Sequence, residues 1–262
     1  MNYITKLIEY FGFERKKDFT FFLINFKKYY HYIKKDPYII YVGAHNGSAA
    51  LKIKNFINYK HIYLFEPNKT LFDEIINLNI PNATAINKAV DNQNKSDITF
   101  NIAGKDSISS LINLNKKSHW YKLRKYQFNN KNKNFVFKTK VETIKISTAL
   151  NGLRISKNSI LIIDTQGNTL RVLKSAEKQI KANLFDFIVA EVIFDNCYQN
   201  SEKIMNVEMY LAKYGYGMIG QHSSTSLFED CGQLDLIFGS TTAIKKIEKL
   251  KKEKYNNYLK QK

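Results

Sequence analysis

Two glycines separate a short apolar run from an amphipathic stretch early in the chain. The pattern predicts a strand over Tyr38–Val42 and a helix over Ser48–Ile57. Glycines between them let the backbone approach a ligand closely and turn into a helix whose first amides face it. The spacing is G-x-x-x-G and lacks the third glycine of the nicotinamide-dinucleotide fingerprint. The turn is made of Gly43, Ala44, His45, Asn46 and Gly47.

A carboxylate follows the second predicted strand, His61–Phe65. Glu66 stands 23 residues after Gly43 and is followed by Pro67 and Asn68. An acid at the carboxyl end of the strand beside a glycine turn chelates the two ribose hydroxyls of an adenosine-containing ligand. We therefore predict a ribose contact for Glu66. The alternative is an acid that stabilises the N-terminus of the next helix through the helix dipole.

Two more carboxylates lie at the ends of buried strands. Asp164 closes Ile160–Ile163, and Glu191 lies near the end of Phe185–Ile193. A carboxylate within hydrogen-bond reach can remove a proton from a hydroxyl, so both are candidate catalytic residues. The alternatives are a helix cap for Asp164 and a structural hydrogen bond for Glu191. No set of His, Cys and acidic residues has metal-ligand spacing, so no metal is predicted.

Strands and helices alternate through residues 37–240, which indicates an α/β fold with a doubly wound, mostly parallel sheet. The last two predicted strands, Tyr216–Ile219 and Leu234–Phe238, follow each other without a helix, so the last of the seven strands should run antiparallel. The other predicted elements are a helix over Lys69–Asn79, a strand over Ala83–Asn87, an extended stretch over Phe135–Ile146, and helices over Thr169–Ile180 and Glu202–Tyr214.

The net charge of +18 is concentrated in three segments of the 262 residues. Residues 1–36, a predicted helical N-terminal cap, carry +4; the basic excursion 115–140 carries +9; and residues 244–262 carry +6. The basic tail 241–262 is predicted to be a solvated helix or a disordered end. With 44% hydrophobic residues and two cysteines, the composition argues against a disordered chain and a disulfide scaffold. We expect a cytoplasmic protein without a transmembrane segment, with a peripheral location at the membrane surface as an alternative.

Several motifs together resemble the FkbM family of S-adenosylmethionine-dependent methyltransferases. They are YVGAHNGS at 41–48, FEPN at 65–68, NKAV at 87–90, SISSL at 107–111, VETIKIS at 141–147, LIIDTQGNTLRVLKSA at 161–176, VAEVIFDNCY at 189–198 and GQLDLIFG at 232–239. The resemblance implies a Rossmann-like class I methyltransferase domain over residues 37–240. Two positions depart from the family pattern: Tyr41 and Thr169 stand where the family usually has Asp and Glu.

The resemblance also implies the ligand and the reaction. S-adenosyl-L-methionine should contact Gly43, Ala44, His45, Asn46, Gly47, Glu66, Pro67, Asn68, Asp164 and Gln166. The acceptor should be a hydroxyl of a sugar, a glycan or a related small molecule, and the basic segments suit an anionic or lipid-linked one. The alternatives are a weakened or non-catalytic binding protein and an RNA 2′-O-methyltransferase.

Nucleic acid is the less favoured partner, although the excursion 115–140 carries aromatic residues that suit base stacking, Trp120 and Tyr121 among them. The turn after the fourth core strand reads DTQG, which is not the D/N-P-P-Y turn of enzymes that methylate base amino groups.

Overall fold

The computed structural model describes residues 26, 29–30, 36–104, 108–128, 135–153, 155–193, 196–200, 202–223 and 233–259. The strands are β1 (Tyr38–Val42), β2 (His61–Phe65), β3 (Ala83–Ile86), β4 (Ala89–Val90), β5 (Lys95–Ala103), β6 (Val136–Ile144), β7 (Ser159–Ile163), β8 (Phe185–Ile193), β9 (Tyr216–Ser223) and β10 (Gln233–Ser240). The helices are α1 (Ser48–Ile53), α2 (Lys69–Asn77), α3 (His119–Phe128), α4 (Ile146–Ala149), α5 (Thr169–Ser175), α6 (Glu177–Lys181), α7 (Ile204–Ala212) and α8 (Thr241–Leu259).

Seven strands form the main sheet in the order β3-β2-β1-β7-β8-β10-β9. The pairs from β3 to β8 are parallel, and β10 is antiparallel to both of its neighbours. The prediction of a mostly parallel seven-stranded sheet with a reversed last strand is confirmed. Parallel strands end at one edge, so the segments that follow β1, β2, β7 and β8 meet there.

Each face of this sheet is covered by its own hydrophobic cluster. Ile39 and Tyr41 of β1 belong to the cluster that also includes residues of α1 and α8. Ile40 and Val42 point the other way, into a cluster with residues of α5, α6 and α7. Side chains alternate between the two faces along a strand, and this alternation decides which polar residues share a face at the edge where the parallel strands end.

A second sheet, in the order β4-β6-β5, is formed by segments that the sequence pattern did not show as strands, apart from the extended stretch at β6. It carries the segment that leads to α3. Here Trp120 is 4% exposed and its ring lies 6.0 Å from that of Tyr198, while Tyr121 packs edge-to-face on Phe135. Much of the basic excursion is therefore anchored by aromatic packing at the edge of the main sheet.

Two predicted helices differ clearly from the structure. The helix predicted to reach Ile57 ends at Ile53, and the helix predicted over Thr169–Ile180 is two helices that meet at Ala176. The basic tail is helical to Leu259, and its first turns pack on the sheet through Ala243 and Ile247.

The predicted N-terminal cap lies largely outside the described residues. Of the described ones, Phe26, Tyr29 and Tyr30 are helical, and Phe26 packs edge-to-face on Phe187 of β8. The division into cap, catalytic domain and tail remains a prediction. In the part of the chain that the structure describes, no helix is long and apolar enough to cross a membrane.

Candidate active site

The glycine turn after β1 lies against the end of β7. Gly43 has φ +83°, and a Cβ atom built on it would lie 1.9 Å from the carbonyl oxygen of Asp164. Gly47, with φ +79°, is the N-cap of α1, and a Cβ there would press on Ile75 and Leu78 of the α2 region. Both positions therefore need glycine, one for close backbone approach and both for a left-handed conformation. The turn brings the first amides of α1 to the sheet edge, as predicted from the sequence.

Glu66 fastens the turns after β1 and β2 to each other. The backbone amide of His45 donates to Oε2 of Glu66 (2.9 Å), and that of Asn68 donates to Oε1 (2.8 Å). The side chain is 5% exposed. Each carboxylate oxygen can accept a further hydrogen bond, so this geometry suits a pair of neighbouring hydroxyls.

Two of the predicted cofactor contacts also have local structural roles. The side chain of Asn68 caps α2 by accepting from the amide of Thr70, and Asn46 Oδ1 accepts from the amide of Ser48 at the start of α1. Their predicted ligand contacts remain predictions, and the observed hydrogen bonds explain their residue types without a ligand.

The turn after β7 is held by residues from two other segments. Gln166 has φ +52° and Gly167 φ +87°, so two successive residues are left-handed. Ser110, from the SISSL motif, donates to the carbonyl of Gln166 (2.7 Å). Tyr198 packs its ring against Gly167, and its single hydroxyl proton is shared between the carbonyl of Ile108 (2.9 Å) and Gln166 Oε1 (3.2 Å). The bond to Gln166 orients the amide of that side chain so that its NH₂ group faces the carboxylates described next.

Three carboxyl groups, here called the carboxyl row, line the sheet edge on one face. They come from the ends of β7 and β8 and the start of β10: Asp164, Glu191 and Asp235. Asp235 is the direct partner of Glu191 in the antiparallel register, so the two share a face. The NH₂ group of Gln166 donates to Asp164 Oδ1 (3.2 Å) and to Glu191 Oε2 (2.7 Å), and Gln233 Nε2 donates to Glu191 Oε1.

Burial and mutual repulsion disfavour negative charge in the carboxyl row. Desolvation, then the neighbouring charges of Asp164 and Asp235, raise the pKa of Glu191 well above its usual range. Desolvation also raises the pKa of Asp164, although Gln166 opposes the shift, and desolvation with the charge of Asp164 raises the pKa of Asp235 to about 7. Such perturbed carboxyls mark a candidate site for proton transfer.

Tyr41, which departs from the family pattern, is buried beside this row. Its side chain is 2% exposed, and burial raises the pKa of its hydroxyl well above the usual value. The nearby carboxylates add to that shift in the order Asp164, Asp235, Glu191 and Glu66. Position 41 thus contributes a neutral hydroxyl. Among the nearby carboxylates, Asp164 has the largest effect on the pKa of Tyr41.

Thr169, the second departure, has a structural role. Its hydroxyl donates to the backbone carbonyl of Glu191 (2.5 Å) and fastens the start of α5 to β8. A carboxylate is still present at this helix start, because Glu202 Oε2 accepts from the amide of Leu170 (2.7 Å). Desolvation raises the pKa of Glu202 to about 7.

A family model for the methyltransferase FkbM domain matches residues 42–218, which is more than half of the chain. The chain belongs to the FkbM methyltransferase family. This confirms the predicted family and, with it, an S-adenosylmethionine-dependent methyltransferase. No curated protein matches the chain.

Solved structures of several methyltransferases are similar to this chain at low identity. A precorrin-6y C5,15-methyltransferase from Geobacter metallireducens GS-15 has 11% identity and a TM-score of 0.40, covering 78% of this chain and 80% of that one. A magnesium protoporphyrin IX methyltransferase from Synechocystis PCC 6803, solved with bound SAM, has 11% identity and a TM-score of 0.43, covering 92% and 98%. An rRNA methylase from Streptococcus thermophilus has 10% identity and a TM-score of 0.39, covering 78% and 87%.

The residues at the sheet edge fit S-adenosylmethionine. The two carboxylate oxygens of Glu66 suit a pair of ribose hydroxyls, and the backbone approaches closely at Gly43. Two buried polar atoms of the lining turns, His45 Nε2 and Thr165 Oγ1, have no hydrogen-bond partner among the described residues. Buried polar atoms are normally paired, so two such atoms in the turns after β1 and β7 suit a polar ligand.

The sequence missed four residues of this site. Ser110, Tyr198 and Gln233 position other groups, and Asp235 adds a carboxyl to the row. The signal for Asp235 was visible, since an acid inside the apolar run Leu234–Phe238 is unusual for a buried strand. The other three lie in stretches that resemble the family, but no local pattern in the sequence gives them a role in the site.

Proposed function

We propose that this methyltransferase transfers a methyl group to a hydroxyl of a sugar, a glycan or a related small molecule. The observation that carries the proposal is the carboxyl row at the edge of the sheet, beside the ribose-binding geometry of Glu66. A hydroxyl is a weak nucleophile until its proton is removed, and carboxylates can accept that proton while hydrogen-bonding neighbouring hydroxyls of a polyol.

S-adenosylmethionine, when bound, supplies an electrophilic methyl group on a sulfonium. Glu66, the turn from Gly43 to Gly47 and the turn at Gln166 would hold it. Asp164 compensates for the missing acid at position 41 by placing a carboxylate near the cationic part of the ligand. Displacement at a methyl carbon needs the acceptor in line behind it, so the main contribution of the chain is orientation. The sequence predicts Asp164 and Glu191 as catalytic residues, and both lie in the carboxyl row together with Asp235.

A sugar is favoured over RNA because two aromatic side chains of the basic excursion are not available for stacking. Trp120 is buried and Tyr121 packs on Phe135, whereas Tyr126 is 79% exposed. Binding of single-stranded RNA commonly uses several exposed aromatic faces along a basic groove.

Calorimetry with S-adenosylhomocysteine, followed by transfer of labelled methyl groups, tests the proposal. Acceptors would be a panel of methyl glycosides (gluco, manno, galacto, fuco and rhamno) and, in parallel, a structured RNA. Micromolar binding and methylation of a glycoside hydroxyl support the proposal. Absence of binding identifies a non-catalytic protein, and methylation of RNA alone identifies the 2′-O-methyltransferase alternative. Binding without transfer to either class would also contradict the proposed acceptor.

The basic excursion provides a test of an anionic acceptor. Replacing Lys116, Lys117, Lys122 and Lys125 by Gln should reduce turnover of an anionic glycoside at low salt, because exposed charges attract over about 10 Å at 0.1 M ionic strength. Affinity for S-adenosylhomocysteine should stay nearly unchanged. If the variant and the wild type have equal turnover and equal salt dependence, the basic excursion is a solvated surface with no role in acceptor binding.

A further inference from the structure

The carboxyl row contains three groups, and they differ in how their oxygen atoms are occupied. Glu191 is 3% exposed, and a glutamine amide donates to each of its carboxyl oxygens. Its backbone carbonyl also accepts from Thr169. A carboxyl enclosed in this way is held in one orientation and has little freedom to reach an acceptor.

Asp164 is also engaged within the row. One of its oxygens accepts from Gln166, and its carboxyl is hydrogen-bonded to that of Glu191. A hydrogen bond between two carboxyls needs one proton, and this bond raises the pKa of Glu191 and lowers that of Asp164. The pair therefore favours the proton on Glu191 and the negative charge on Asp164, which contacts both Glu191 and Gln166.

Asp235 differs from both. Its side chain is half-buried, and no side chain in the described part of the chain hydrogen-bonds its carboxylate. The register places it between Glu191 of β8 and His222 of β9, so the three side chains form one line across adjacent strands. Because β10 runs in reverse, its start lies at the same edge as the carboxyl ends of β7 and β8.

We propose that Asp235 is the catalytic base, the group that takes the proton from the acceptor hydroxyl, and that Glu191 is a positioning residue that holds Asp164 and the turn at Gln166. This inference rests on the proposed function. The hydroxyl oxygen gives its proton to the Asp235 carboxylate as it bonds to the methyl carbon, and the carbon–sulfur electron pair remains on sulfur. The products are a methyl ether, a neutral thioether and a protonated Asp235, which returns its proton to solvent.

Four titratable groups lie near Asp235, and among them the charge of Asp164 shifts its pKa. They are Asp164 from the end of β7, Glu191 from β8, His222 from β9 and the hydroxyl of Tyr41 from β1. Burial and the charge of Asp164 raise the pKa of Asp235 to about 7, where a base is half ionised at neutral pH and still strong enough to accept a proton.

The test compares Asp235→Asn with Asp235→Glu and with a control, Asp73→Asn, on the exposed face of α2. Turnover would be measured across pH 5 to 9 with whichever methyl glycoside of the proposed panel the wild type methylates. We expect the wild type to lose turnover below about pH 7, Asp235→Asn to lose about 10²- to 10⁴-fold at every pH, and Asp235→Glu to recover part of it. Asp73→Asn should match the wild type.

Two further measurements need no acceptor. Calorimetry should give the same S-adenosylhomocysteine affinity for Asp235→Asn as for the wild type, within about twofold. Carbon-13 NMR of aspartate carboxyls should show one resonance that titrates near pH 7 in the wild type and is absent from Asp235→Asn.

The assignment is overturned if Asp235→Asn retains turnover and loses it at low pH as the wild type does. It is also overturned if Asp235 titrates below pH 5. If the wild type binds S-adenosylhomocysteine but methylates no hydroxyl, the proposed function fails instead, and the assignment of Asp235 fails with it. If Asp235→Asn does not fold, Asp235→Ser serves for the same comparison.

Discussion

Replacing Asp235 by Asn should make the protein more stable at alkaline pH, although the same change removes a proposed catalytic group. The pKa of Asp235 is about 7 in the folded protein because burial and the charge of Asp164 oppose its ionisation. In the unfolded chain an aspartate titrates near 4. The folded state therefore binds this proton more tightly than the unfolded state does. Protonation of Asp235 stabilises the folded protein, and this contribution to the free energy of unfolding is lost as pH rises from about 4 to about 7.

The size of the effect follows from that shift. About three pKa units correspond to about 4 kcal/mol of unfolding free energy at pH 8, at roughly 1.4 kcal/mol per unit. Asp235 keeps some contact with solvent, so we expect about half of this, or about 2 kcal/mol. In a protein of this size that would raise Tm by about 4–8 °C. Asn is neutral at every pH, so the variant avoids the cost of a buried charge.

Urea unfolding at pH 5, 6, 7 and 8, followed by circular dichroism, measures this difference. The gain of Asp235→Asn over the wild type should be smallest at pH 5, should increase to pH 7 and should then level off towards pH 8. Asp73→Asn, which removes an exposed aspartate, should show no such growth. A loss of stability that is equal at every pH would refute the reasoning, since it would mean that Asp235 is ionised normally and stabilises the fold.

Three other changes test the turns and the residues that hold them. Gly43→Ala should destabilise the protein by more than about 3 kcal/mol in urea unfolding, whereas Gly152→Ala, which also has positive φ but nothing within 4 Å of the new Cβ, should cost about 1 kcal/mol; equal costs would contradict the contact with the end of β7. Glu66→Gln should weaken S-adenosylhomocysteine binding by about 1–3 kcal/mol in calorimetry, and unchanged affinity would remove its ribose role. Tyr198→Phe should lower the free energy of unfolding by about 1–2 kcal/mol and should lower kcat more than it raises KM. The reason is that the side-chain amide of Gln166 loses the hydroxyl donor that orients it. An unchanged kcat would show that this hydrogen bond has no role in the site.

Strands buried on both faces were the most predictable part of the fold. The predicted bounds of β1, β2 and β8 agree with the structure, because such strands are continuous apolar runs with sharp ends. The strand β5 was missed, since its first residues are exposed and polar and Asp97 has φ +62°. Periodicity has no signal for an irregular, half-solvated strand of this kind.

The site was predictable where a residue directly follows a strand. Glu66 and Asp164 could be predicted in this way, because the carboxyl ends of parallel strands all lie at the same edge of the sheet. Asp235 begins a reversed strand, so its approach to Glu191 depends on a pairing between segments far apart in the chain. Tyr198 and Ser110 reach the turn at Gln166 from irregular segments, and only three-dimensional packing brings them there.

The strand β10 lies between β8 and β9 in the sheet, although β9 precedes it in the chain. All nine residues of β8 are buried in the folded protein. During synthesis β8 leaves the ribosome well before β10, the strand that covers its open edge. Until residues 233–240 emerge, β8 presents unpaired amides and carbonyls that can pair with another chain. Insertion of β10 then closes this edge and places Asp235 opposite Glu191.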